Sequence, residues 1–133
     1  MASEQYVAIN QEYDIVTARQ IGRELATQIG FTGSDLTIIA TAISELARNI
    51  VTYAKQGEII LDIIQTNGKN GIVVIAQDEG PGIPNLEEAM RDGFSTGHSL
   101  GLGLPGAKRL MDEFDIVSKI GKGTTITVKK WVR

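Results

Sequence analysis

Residues 57–84 run Gly57-Glu58-Ile59-Ile60-Leu61-Asp62-Ile63-Ile64-Gln65-Thr66-Asn67-Gly68-Lys69-Asn70-Gly71-Ile72-Val73-Val74-Ile75-Ala76-Gln77-Asp78-Glu79-Gly80-Pro81-Gly82-Ile83-Pro84. Two apolar, mostly β-branched runs, Gly57 to Thr66 and Ile72 to Gln77, flank a short segment rich in Asn and Gly. That pattern predicts a β-hairpin with its loop at Asn67 to Gly71. Asp78 to Pro84 is too dense in Gly and Pro for a regular element and reads as an irregular loop closing the second strand.

Upstream, Ala18, Ile21, Leu25 and Ile29 recur at helical spacing, predicting a helix from Asp14 to Ile29 that stops at Gly30. Leu36, Ile39, Ile43, Leu46 and Ile50 form a second apolar stripe, predicting a helix to Ala54 capped by Ser34 or Asp35. Gln5 to Asn10 alternates weakly, as an edge strand does. Downstream, Leu86 to Asp92 suits a short helix and Pro105 to Met111 a third, with proline in its first turn. Phe114 to Ile120 and Thr124 to Val132 read as a second hairpin around Gly121-Lys122-Gly123. Helices first, then two hairpins separated by a glycine-rich insertion, predict an α/β sandwich: a mixed, largely antiparallel sheet with helices on one face.

The chain has 133 residues, 42% hydrophobic and 22% charged, which fits one globular domain spanning 1–133. The absence of Cys excludes disulfides, thiol chemistry and Cys-ligated metals, and one His leaves little for a His-based metal site or triad. The N-terminus lacks a basic and apolar leader, and no apolar run approaches a membrane span, so the expected location is the cytoplasm. The net charge of −3 argues against nonspecific nucleic-acid binding. Residues 101–133 nevertheless carry 7 basic groups against 3 acidic ones. These form either a phosphate- or partner-facing surface, or a strand edge blunted by Lys129, Lys130 and Arg133.

Three segments carry candidate chemistry. Glu45 and Asn49 lie one helical turn apart, and a carboxylate beside a carboxamide suits a magnesium–phosphate site. Taken alone, the same pair more often marks a solvated helix face. Asp78-Glu79-Gly80-Pro81-Gly82-Ile83 places a carboxylate at a strand end, able to accept from an exocyclic amine, before glycines that admit a flat ring; it equally describes a turn. Gly101-Leu102-Gly103-Leu104-Pro105-Gly106 feeds a helix N-terminus, which offers N–H groups to phosphate, and equally describes a flexible loop. Neither a Walker A loop nor a dinucleotide fingerprint is present.

The order of these features is more specific than any one of them. E-x-x-x-N on a helix, D-x-G-x-G after a strand, G-x-G before a helix and Gly123-Thr124 in the final hairpin together resemble the Bergerat-fold (GHKL) ATPases. Within that superfamily, Ile43 to Ile50, Asp92-Gly93-Phe94-Ser95-Thr96 and Lys108 to Phe114 are similar to the serine/threonine kinases of the bacterial stressosome. The resemblance implies ATP and Mg2+ as cofactors. Asn49 would hold the metal, Asp78 the adenine amine, and Gly80, Gly82 and Ile83 the adenine pocket. Gly101, Leu102 and Gly103 would wrap the phosphates, Thr124 would reach adenine through water, and Glu45 would orient or deprotonate the attacking hydroxyl. A lid over the nucleotide is implied between Gly82 and Gly101; His98 at its tip departs from the glycine-rich pattern and receives no role. The implied partners are STAS-domain stressosome proteins (RsbS/RsbR-like) as substrates and an RsbU-type phosphatase activated on release. Two other readings are a nucleotide-gated binding module akin to anti-sigma factors, with little catalysis, and a bare ATP hydrolase.

Overall fold

The computed structural model describes residues 4–90 and 103–133. Five strands form one sheet: β1 (Gln5–Ile9), β2 (Gly57–Thr66), β3 (Lys69–Asp78), β4 (Glu113–Lys119) and β5 (Gly123–Trp131). Their order across the sheet is β1-β2-β3-β5-β4, and every neighbouring pair is antiparallel. The helices are α1 (Tyr13–Gln28), α2 (Ser34–Tyr53), the single-turn α3 (Leu86–Ala89) and α4 (Gly103–Leu110). The expected short helix to Asp92 runs partly outside the described residues.

Strand alternation puts one set of side chains toward the helices: Val7 and Ile9, Ile59 and Leu61, Ile72, Val74 and Ala76, Ile126 and Val128. Onto them α2 lays Ile39, Ile43, Leu46 and Ile50, each at most 1% exposed. The stripe legible in the sequence is thus the seam of the core. At Gly22 on α1, an added Cβ would collide with Ile43 Cδ1, so the first two helices approach one another where a side chain is missing. The opposite face of the sheet carries no helix among the described residues, and Tyr6 and Val117 there are 60% and 52% exposed.

Three local expectations are corrected. The first hairpin turns on Asn67 and Gly68 alone, both at positive φ (50° and 78°), so pairing begins at Thr66 and Lys69. Neither Ser34 nor Asp35 caps α2 through its side chain; the helix starts from backbone turns, Leu36 N donating to Gly33 O at 3.2 Å. The basic residues of β5 do not blunt an edge. β5 is interior, between β3 and β4, and Lys130 is 7% exposed, its Nζ donating to Leu110 O at the end of α4 at 3.4 Å. That ammonium meets the negative end of a helix, which accounts for its burial.

Candidate nucleotide site

At one end of the sheet a row of residues crosses four strands in register: Gly57 on β2, Asp78 on β3, Thr124 on β5 and Ser118 on β4. Each is the next residue in its strand's helix-facing alternation, so apolar side chains give way to polar ones along the same face. Asp78 Oδ1 accepts from Gly80 N at 2.9 Å, which turns the chain out of β3 and leaves the second carboxylate oxygen with no protein donor among the described residues. Thr124 is 4% exposed. Its hydroxyl lies 2.8 Å from Ser118 Oγ.

The loop after Asp78 is fastened to the β4–β5 hairpin. Gly121 N donates to Pro81 O at 2.8 Å and Ile83 N donates to Ser118 Oγ at 2.7 Å. Gly82 has φ +80°, and a Cβ there would lie 2.5 Å from Lys119 O, so both conformation and space demand glycine. Gly80 is set by space, since its Cβ would come within 2.5 Å of Ala54 Cβ at the end of α2. Ile83 is half-buried against the core. An open groove of about 720 Å³ reaches Asp78 from the other side, lined among others by Asn10, Glu58, Gln77 and Glu79.

On α2, Glu45 is only 4% exposed although it lies off the apolar stripe, and Asn49 one turn on is half-buried. The solvated-face reading therefore fails for Glu45. A buried carboxylate one turn from a carboxamide, whose Cβ atoms are about 5–6 Å apart on a helix, is a donor set that fits magnesium, which keeps most of its shell as water and phosphate oxygen. No cluster of three or more His, Cys, Asp or Glu exists among the described residues. Gly103, which opens α4, is described, whereas Gly101, Leu102 and the segment holding Phe94 and His98 lie outside the described residues.

Two site residues escaped the sequence reading. Ser118 touches both the loop and Thr124, and the alternation Phe114, Ile116, Ser118 was the signal that placed it inward. Arg48, between Glu45 and Asn49, has its Nη1 3.5 Å from Glu12 Oε1, while its Nε is buried with no hydrogen-bond partner among the described residues.

The fold is a two-layer α/β sandwich: an antiparallel sheet with helices on one face and a polar row at the end of its central strands. Residues 9–130 match the histidine kinase-like ATPase domain, and the chain belongs to that family. It is 52% identical to the serine/threonine-protein kinase RsbT of Bacillus subtilis (strain 168) over the whole of both chains. It is also 31% identical to the anti-sigma F factor of Priestia megaterium, covering 95% of this chain and 88% of the relative. The mycobacterial sensor histidine kinase MprB shares the fold at TM-score 0.56 and 15% identity, each chain covered to 98%. The enzyme class these similarities support is an ATP-dependent serine/threonine protein kinase. No helix among the described residues is long and apolar enough to cross a membrane.

Proposed function

We propose that residues 1–133 form one Mg-ATP-dependent serine/threonine kinase unit acting on STAS-domain stressosome proteins of the RsbS/RsbR kind. Released from them, it binds and activates an RsbU-type phosphatase, all in the cytoplasm. The observation that carries the reading is Glu45: a carboxylate kept buried one turn from Asn49, in a family whose members use ATP. A passive nucleotide binder has no need to hold a base there.

Asp78, with one oxygen engaged by Gly80, keeps the other to accept from the adenine amine, and Thr124 stands beside it on the next strand. Gly80, Gly82 and Ile83 bound the base, Gly101, Leu102 and Gly103 are assigned to the phosphates, and Gly103 opens α4, whose first N–H groups suit an anion. Magnesium, when bound, neutralises charge on the phosphate oxygens, and Asn49 would hold it. Glu45 orients the partner's hydroxyl and takes its proton. Phosphoryl transfer asks for positioning and charge neutralisation more than for covalent chemistry, so this set suffices. The new phosphate places negative charge in the docking surface, which favours release. The anti-sigma F factor relatives keep a second reading in play, a nucleotide-gated binder with little catalysis.

Intact-mass analysis separates the two. A STAS-domain protein from the same genome, incubated with this protein and Mg-ATP, gains one phosphate, and with Asn49→Ala it gains none. Glu45→Ala lowers transfer by at least about 100-fold while ATP binding stays within about threefold. Loss of binding together with transfer would make Glu45 a structural residue, and ATP binding without any transfer by the unaltered protein would favour the binder.

A further inference from the structure

Arg48 carries a positive charge on α2, three residues after Glu45 and directly before Asn49, with its side chain only 23% exposed. A guanidinium holds all its polar hydrogens as donors, and burying it is costly unless they are used. Here they are used poorly. Nε is buried with no hydrogen-bond partner among the described residues. Nη1 lies 3.5 Å from Glu12 Oε1, well beyond the roughly 2.7–2.9 Å of a charge-assisted hydrogen bond. Arg133 shows the contrast: though its side chain is 68% exposed, it donates to Asp112 Oδ1 at 2.8 Å.

The fold does not depend on the Arg48–Glu12 pair. The turn from β1 into α1 is held by Asp14, whose Oδ2 accepts from Asn10 N at 2.8 Å and Gln11 N at 3.2 Å. The two helices are seated on each other by the close approach of Gly22 to Ile43. Glu12, with its side chain 71% exposed, is thus an exchangeable counter-ion, and an ion pair with so exposed a partner contributes little.

The position of Arg48 on the helix says what takes the place of Glu12. At about 100° per residue, Arg48 lies about 60° to one side of Glu45 and Asn49 about 40° to the other. With Asn49 assigned to the metal and Glu45 to the attacking hydroxyl, the phosphates belong on the Asn49 side. The Arg48 flank is left for the chain that brings the hydroxyl. We infer that Arg48 is a docking residue for the protein substrate, binding the carboxylate of an Asp or Glu that flanks the acceptor Ser or Thr. Glu12 holds the guanidinium in place until that carboxylate displaces it. The exchange gives up a weak, wet pair for one inside an interface, where water screens the attraction less. The inference rests on the kinase reading and adds to it a chemical feature of the substrate.

The test is steady-state phosphate transfer from Mg-ATP to the same STAS-domain protein, with the full chain as enzyme. Arg48→Ala raises KM for the protein substrate about tenfold, the size of one lost charge-assisted hydrogen bond, with kcat and ATP affinity within about twofold. Arg48→Lys, which keeps the charge without the planar donors, loses less. Glu12→Gln moves KM the other way, down by about two- to threefold, because the competing carboxylate is gone. On the substrate, each Asp and Glu flanking the acceptor is changed in turn to Asn or Gln. One of these changes raises KM about tenfold with the unaltered kinase and has no further effect with Arg48→Ala, as required of two partners in one contact.

An Arg48→Ala protein with unchanged KM overturns the inference. So does one whose ATP affinity falls about tenfold, which would assign the arginine to the nucleotide phosphates. A KM that rises with Glu12→Gln would make the pair a structural tie, and a substrate that no neutralisation weakens has no carboxylate for Arg48; both results are decisive even if Arg48→Ala fails to fold. All of these leave the kinase standing. ATP binding without any transfer by the unaltered protein removes the kinase reading, and the inference with it.

Discussion

At the Gly71–Trp131 end of the β3–β5 pair, the polar groups are spent on one another. Asp112 accepts from Trp131 N and from Arg133 Nη2, both at 2.8 Å, and its own N–H donates to Lys129 O. Val132 N donates to Asn70 O, Trp131 Nε1 to Glu113, and Lys130 Nζ to the last carbonyl of α4. At the Asp78–Thr124 end of the same two strands, the protein withholds: one oxygen of Asp78 has no donor among the described residues. The two ends share strands and register. They differ in whether their hydrogen-bonding capacity is closed upon itself, and an unpaired group in a folded interior is costly unless something arrives to pair it.

The comparison can be broken experimentally at either end. Asp78→Asn replaces an acceptor-only group by an amide and costs on the order of 100-fold in ATP affinity by calorimetry, the scale of a charge-assisted hydrogen bond. A loss under about threefold would place base recognition elsewhere. Asp112→Ala removes the clasp at the other end; urea unfolding should report a loss of about 1–2 kcal/mol, with ATP affinity within about twofold. A large change in affinity there would mean that the clasp sets the site through α4. Trp131→Phe deletes the indole bond to the exposed Glu113 carboxylate and part of the ring lying over Gly71, and its cost to stability is about 1 kcal/mol or less.

Much of this architecture was legible beforehand because periodicity reports which side of an element is buried. The stripe from Leu36 to Ile50 and the apolar runs of β2 and β3 describe α2 and the first hairpin to within a few residues. Strand neighbours are another matter: alternation says nothing about which strand lies beside which, so an edge position for the last strand is one of two readings its basic residues allow, and β5 is interior. Ile126, Val128 and Lys130 alternate inward together, yet a lysine in that series looks like solvent until Leu110 O is found above it. The candidate site was legible as an order of motifs, from Glu45 and Asn49 to Asp78 and Thr124. Its connecting residue was not, because Ser118 belongs to no motif and gains meaning only from the register that sets it opposite Thr124.

The strand order has a consequence for how the molecule comes into being. β5 follows every other described element in the chain, yet it must lie against β3 with β4 on its far side. The β4–β5 hairpin carries Thr124, Ser118 and the anchors for Pro81 and Ile83, so all of them stand by Asp78 only when β5 is paired with β3. A chain without that pairing has only half of the proposed base pocket. Because a ligand stabilises only the form that binds it, ATP would act here as a proofreader of folding, retaining molecules in which this pairing has formed.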